Sequence, residues 1–309
     1  MSVLIEQGQM AGAPYESGID ITSKEGYAQI SPERIYSHLG NSLSTIISLQ
    51  NPESGLTQAA TDQRHSADDH MNHFWLRDHA IGVLALSNGA RNLFPVGSVQ
   101  RDVVDDFTRR SVDGLFEIWK RDEWQEGFGQ PVIKEHGHTR LKDPMKAPPI
   151  HALTSGEVDF WWTQNQPDAW GFAFTAISRA VDNGVIEMNE HKLQTLEQAV
   201  RYLDRLEPEH ATQTSMWEWG QPGLPPLSSV AIVRQGFEGV ARFIQDPHLK
   251  KRVGRRIEQA QEFVTEYFPV DYTTEKGHES KSDLATLVAL AHGALDRESF
   301  FRFMNGAAH

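Results

Sequence analysis

The stretch NEHKLQTLEQAVRYLDRL, residues 189–206, sets Leu193, Leu196, Val200, Leu203 and Leu206 three or four places apart, with polar side chains between them. An α-helix turns once in about 3.6 residues, so this spacing gathers the apolar residues into one stripe. The stretch is predicted as an amphipathic helix that stops at Glu207-Pro208, because proline has no N–H to continue the ladder. The same period recurs on both sides of it. Residues 31–49 carry Ile35, Leu39, Ser42, Ile46 and Leu49 on a stripe, and Ser31-Pro32 makes a capped start. Residues 100–119 carry Val103, Val104, Phe107, Val112, Leu115, Phe116 and Trp119. Similar patterns run through 74–89, 168–183, 228–245, 249–268 and 283–295. About eight helices result, and few stretches alternate with the two-residue period of a strand.

The connections differ in character. Residues 51–72, 122–166 and 208–227 are long and scattered with Gly, Pro, His and Trp, whereas 184–188 is short. Long irregular loops inside a compact domain are where function concentrates. A toroid of helical hairpins has this anatomy, with long loops gathered on one face and short turns on the other. Residues 1–30 are expected to be an N-terminal extension and 31–309 the helical domain.

Composition narrows the function classes. The 309 residues carry 29 Lys and Arg against 42 Asp and Glu, a formal net charge of −13, which disfavours a nucleic-acid partner. The basic cluster Lys250, Lys251, Arg252, Arg255 and Arg256 is interleaved with Leu249 and Val253 and reads as the solvated face of an amphipathic helix. Mean hydropathy is −0.48, and no apolar run reaches the roughly 18 residues of a membrane span, so no membrane partner is expected. No basic stretch followed by an apolar core opens the chain, and a cytoplasmic location is the default expectation. The absence of cysteine excludes disulfides and thiolate chemistry. No Walker or dinucleotide fingerprint occurs, and no cofactor is expected. His65, Asp69 and His73, four apart, would share a helical face suited to a metal, but their setting reads as a loop entering the helix of 74–89, and no metal is expected.

Three junctions place tryptophan beside acid, amide or arginine: Phe74-Trp75-Leu76-Arg77-Asp78, the segment from Trp161 and Trp162 through Gln166-Pro167-Asp168, and Met216-Trp217-Glu218-Trp219. Five of the 8 tryptophans lie in them. A pyranose has an apolar face that stacks on an aromatic ring and a rim of hydroxyls that arginine, carboxylate and amide groups bind, so these neighbours suit a sugar. The alternative reading is that the tryptophans fill the core and the acids cap helices.

The ordered series resembles the glucoamylase-type glycoside hydrolases of family 15 and, more closely, the glucoamylase-like domain of phosphorylase kinase alpha and beta subunits, over roughly residues 35–295. Trp75-Leu76-Arg77-Asp78 is similar to the family's Trp-x-Arg-Asp motif, whose arginine and aspartate hold the hydroxyls of the terminal glucose. Trp162 through Asp168 resembles the segment that opens an inner helix, and Met216-Trp217-Glu218 the segment that supplies the general acid. Residues 223–230 (GLPPLSSV) and 279–283 (ESKSD) continue as the phosphorylase-kinase branch does. The resemblance implies an (α/α)6 toroid and an inverting hydrolase acting on the non-reducing end of an α-glucoside or glucan. Trp75, Arg77, Asp78 and Asp168 would position the sugar, Trp162 and Trp217 would wall it, and Glu218 would give the proton.

Departures from the pattern matter as much. Trp219 follows Glu218 where the family commonly has a second carboxylate, and Ser215-Met216 replaces an aspartate-leucine pair. Burial against Trp217 and Trp219 would raise the pKa of Glu218, since desolvation disfavours the charged form. Inverting hydrolysis also needs a second carboxylate to activate water. The family's base lies in the last third of a twelve-helix barrel, beyond the helices counted here, and neither Glu279 nor Asp283 can be assigned to the role. A non-catalytic regulatory or sugar-binding domain is therefore the alternative. A toroid short of helices would expose apolar flanks, which predicts self-association or a partner subunit along the open seam.

Overall fold

The computed structural model describes residues 32–59, 73–135, 138–143, 146–158, 166–208, 227–267, 271–272 and 279–280. The chain divides into two compact units, Met1–Leu49 and Gln50–His309. The described part of the first is helix α1, Pro32–Ser48, in which Leu43 is buried. The second holds α2 (Leu76–Leu84), α3 (Val99–Trp119), α4 (Asp122–Gly129), α5 (Pro167–Asp182), α6 (Glu190–Leu206), α7 (Leu227–Val240) and α8 (Pro247–Tyr267). Short antiparallel pairs accompany them. β1 (Phe74–Trp75) pairs with β4 (His151–Ala152), β2 (Val132–Glu135) with β3 (His138–Leu141), and β5 (Asp271–Tyr272) with β6 (Glu279–Ser280). Among the described residues no helix is long and apolar enough to cross a membrane.

Most of the expected helices are present with small shifts at their ends. The hydroxyl of Ser98 accepts from the N–H of Arg101, and the side chain of Asn189 accepts from the N–H of Lys192, so both caps satisfy donors that have no partner inside the helix. α6 ends on Glu207, whose φ of 47° is left-handed. The stretch 74–89 differs from expectation. It begins as β1, continues as α2, and widens into a π-turn at Ala85–Ala90 before a last α-turn at Arg91–Leu93. α4 and the β2–β3 hairpin lie where a loop was expected. With eight residues and Trp124, Gly127 and Phe128 as its buried face, α4 is too short to show a period. The helix expected at 283–295 lies outside the described residues.

Two kinds of helix follow from burial. α5 is buried on nearly every side, from Pro167 to Ala180, and α7 is buried along almost its whole length. A helix apolar all round belongs inside. α3, α6 and α8 carry one buried stripe each, such as Leu249, Val253, Ala260 and Val264 on α8. The inner helices run parallel. At one end Arg77 of α2 meets Asp168 and Gln166 at the start of α5, and at the other Asn183 donates to the carbonyl of Ser87 beyond the end of α2. Likewise Gly171 of α5 lies against Ile232 and Gly236 of α7, and Ser178 against Gly239. A Cβ on Gly171 would sit 2.7 Å from the Ile232 carbonyl oxygen, and one on Gly236 would sit 2.6 Å from that of Gly171, so glycine lets these two backbones approach.

Parallel inner helices in a unit of helical hairpins are the expected all-α architecture. Each runs into its outer partner through a short turn, 183–189 for α5–α6 and 244–246 for α7–α8. Between the layers lies an aromatic cluster of Phe116, Trp119, Phe128, Trp170, Phe174 and Tyr202, all buried, with Trp119 and Trp170 at 5.4 Å and Trp170 and Tyr202 at 5.5 Å between ring centroids. Such rings each remove roughly 150–250 Å² from water, which makes this a main source of hydrophobic stabilisation. The basic residues of α8 do more than face solvent: Arg252 and Arg256 both pair with Asp204, a carboxylate 3% exposed on α6, and Arg256 also binds Glu207.

Candidate functional site

The N-terminal ends of α2 and α5 lie side by side, and they carry four of the expected site residues. Trp75 and Phe74 form β1 because the chain enters α2 extended, with Trp75 as its N-cap residue. Phe74 is buried, Trp75 half-buried, and the Leu76 N–H donates to the Ile150 carbonyl at 2.7 Å. β1 pairs Trp75 with His151, whose ring centroid is 4.9 Å from the indole. His151 is fully buried and its Nε2 lies 3.2 Å from Nδ1 of His73, so a histidine pair backs the tryptophan.

Arg77 is the centre of the polar part. Its Nε lies 3.1 Å from Oδ2 of Asp168, with the arginine side chain 12% exposed and the aspartate sealed from solvent. A second guanidinium N–H donates to the side-chain oxygen of Gln166, the residue that precedes α5. Pro167 and Asp168 occupy the first turn of α5, where proline loses nothing and a carboxylate faces the positive end of the helix. Burial nonetheless pushes the pKa of Asp168 up; Arg77 and the nearby N–H groups of Ala169 and Asp168 pull it back, and Asp78 adds to the rise. Among the described residues Arg77 meets the acid through one Nε–Oδ2 contact, an ion pair rather than a two-pronged fork of N–H bonds.

Asp78 is exposed, yet the protein crowded around its carboxyl raises its pKa by desolvation, against the pull of Arg77 and its own N–H. Water reaches Asp78 and will screen that effect. Asp168 is the acid whose titration the fold controls.

Next to this pair His79 is buried at 1% exposure. The Thr57 N–H donates to its Nδ1 at 3.2 Å, and the Thr57 hydroxyl lies 2.6 Å from the same atom. Nδ1 is therefore the acceptor, and Nε2 carries the proton and donates to the Ser111 carbonyl at 3.2 Å. Desolvation lowers the pKa of His79 to about 4, the bond to Ser111 opposing it, so the ring is neutral at pH 7.

The structure thus brings Trp75, Arg77, Asp78 and Asp168 to one end of the inner helices. Trp162, Trp217 and Glu218 lie outside the described residues, as do His65 and Asp69. Sequence reasoning did not single out His79 or His151, and it quoted Gln166 only as part of a motif. The signal for His79 was its place directly after Arg77-Asp78; nothing local marked His151. Trp119, Trp124 and Trp170, the tryptophans outside the three junctions, are core residues.

No family model matches the chain, and no curated protein matches it. Solved structures do. A glycosidase with a phenylalanine-to-tyrosine substitution is similar at a TM-score of 0.54 and 16% identity, over 85% of this chain and 66% of that one. A glycosidase variant in complex with glucose is similar at a TM-score of 0.52 and 16% identity, with the same coverage. A bacterial glucoamylase complexed with acarbose gives a TM-score of 0.46 and 13% identity, over 75% of this chain and 28% of that one. The chain spans 66% of the length of those two glycosidases. At this identity the likeness is one of fold: the chain has the mostly helical toroid-type fold expected from its hairpins, and it is glycosidase-like as the resemblance implied.

Proposed function

We propose that the end of the inner helices carrying Trp75, Arg77, Asp78 and Asp168 binds the terminal ring of an α-glucoside, and that the protein is a glycoside hydrolase of the glucoamylase type. The observation that supports this reading is the meeting of Arg77 and Asp168 at two adjacent helix N-termini, with the half-buried indole of Trp75 two residues before the arginine. Arginine and carboxylate groups offer charge-assisted hydrogen bonds to hydroxyls, and the indole offers a stacking face. In the proposed reaction Glu218 protonates the glycosidic oxygen, a water attacks C1 from the opposite side, and a second carboxylate takes the water's proton, with inversion. Trp162 and Trp217 wall the sugar.

The replacement of the family's second acid by Trp219 favours one alternative, a sugar-binding domain without turnover like that of phosphorylase kinase subunits. Incubation with maltose, maltotriose and starch separates the readings. Release of β-glucose supports inverting hydrolysis. Binding of maltose in calorimetry without glucose release supports the binding domain, and the absence of both overturns the carbohydrate reading.

A further inference from the structure

We propose that His79 is a positioning residue of this site, setting the roll of helix α2 so that Arg77 meets Asp168 and Gln166. The inference rests on the reading of this end as the ligand site, but it concerns the chain's own geometry. His79 sits in the same helical turn as Arg77 and Asp78, on the side turned into the protein. Both of its ring nitrogens are used: Nδ1 accepts from Thr57 and Nε2 donates to the Ser111 carbonyl of α3. Phe74 closes on the ring edge-to-face at 5.2 Å.

What the imidazole grips is itself rigid. The segment before Thr57 lies flat on α3, where a Cβ on Gly114 would stand 2.3 Å from the Ser54 carbonyl oxygen. Gly55, at a φ of +75°, allows the turn that brings it against Arg110. Gln50 Nε2 reaches the carbonyls of Gly55 and Phe107 at 3.1 Å each and the Ser111 hydroxyl at 2.8 Å. The run Thr57, His79, Ser111, Gln50 thus ties α2 to the 50–57 segment and to α3 through buried polar atoms.

The other face of α2 carries the arginine. Side-chain tips lie roughly 5–6 Å from a helix axis, so a roll of about 10° moves them by about 1 Å. A 1 Å misplacement is enough to cost on the order of a hundredfold in a positioned site. A ring held from two sides resists such a roll better than apolar packing, because its hydrogen bonds are directional.

The test compares His79→Ala and His79→Asn with wild type, reading the Arg77 Nε–H resonance by NMR and maltose affinity by calorimetry. The Ala variant is expected to shift or broaden the Arg77 signal and to weaken maltose binding by about tenfold or more. Asparagine places an acceptor near the position of Nδ1, so it should restore the Arg77 signal and most of the affinity. An unchanged Arg77 signal in a folded Ala variant overturns the inference, as does an Asn variant that behaves like Ala. If the Ala variant does not fold, Thr57→Val, which puts a methyl in place of the hydroxyl and keeps the backbone N–H, should still shift the Arg77 signal, and no shift counts against the proposal. If wild type fails to bind maltose while the Arg77 signal responds to His79, the sugar reading falls and the positioning role stands.

Discussion

Arg77 and Asp168 form an ion pair across two helix N-termini, with 3.1 Å between Nε and Oδ2 and the acid shut off from water. Removing one member strands the other. Arg77→Met should lower stability by about 3–5 kcal/mol, the usual cost of an uncompensated buried charge, partly relieved as Asp168 takes up a proton. The pair replaced together, Arg77→Met with Asp168→Leu, should fold nearly as well as wild type. Urea titration of wild type and the two variants checks this. A single variant as stable as wild type would mean that water already reaches Asp168.

Acid should unfold the protein in two overlapping stages. A histidine whose folded pKa is lowered from 6.5 to about 4 binds its proton more readily when unfolded, so stability falls as pH drops between those values, by ~3 kcal/mol in all. The neighbours of His79 described here, Thr57, Ser111 and Phe74, carry no charge to offset this. Glu207 acts lower. Desolvation would raise its pKa, but bonds from Lys134, Thr139 and Arg256 hold it at about 2, so its contribution fades from pH 4.5 down to 2. Asp168 has the opposite sign, its raised pKa favouring the fold as pH falls. Melting curves of wild type and His79→Gln between pH 7 and 4 test the first stage. The variant should lose most of the slope.

Two glycine-to-alanine changes should act in opposite directions. In the middle of an exposed helix this change stabilises by roughly 0.5–1 kcal/mol, and Gly254 of α8 has nothing within 4 Å of its would-be Cβ. Gly171→Ala, with the Ile232 carbonyl 2.7 Å away, should instead cost about 1–3 kcal/mol or more through displaced backbone. Differential scanning calorimetry should place the Gly254 variant above wild type in Tm and the Gly171 variant below it.

Glu218→Gln should abolish glucoside hydrolysis while leaving maltose affinity within about tenfold, since the amide keeps the shape but its N–H protons are not acidic enough to be transferred. Loss of a positioned general acid costs ~10²–10⁴-fold in rate. If wild type is active and the variant keeps most of its turnover, the role belongs to another residue.

Periodicity made the long helices legible because each buries a stripe along its length. The start of α5 was legible for a second reason: Pro167 and Asp168 belong at a helix N-terminus. The partnership of Arg77 with Gln166 and Asp168 was not. It joins two junctions far apart in sequence, and only the resemblance implied that both face one sugar. His79 and His151 were hidden more deeply, since a buried histidine is defined by what its nitrogens reach, here Thr57, Ser111 and His73. α4 escaped because two turns are too few for a period. The basic run in α8 was read as a charged face. Its pairing with Asp204 needed the third dimension.

The parallel course of α2, α5 and α7 sorts the connections of the second unit by length: the turns at 94–98, 183–189 and 244–246 gather at one rim, and the long segments lead to the opposite one. Heritable change should follow the same division. The close glycine contacts of α5 and α7 involve only residues of those two helices, so exchange of strands β2 and β3 removes none of them. Such an exchange would leave the frame of inner helices unaltered. A deletion in a short turn has no such latitude: it would drag an inner and an outer helix out of register together.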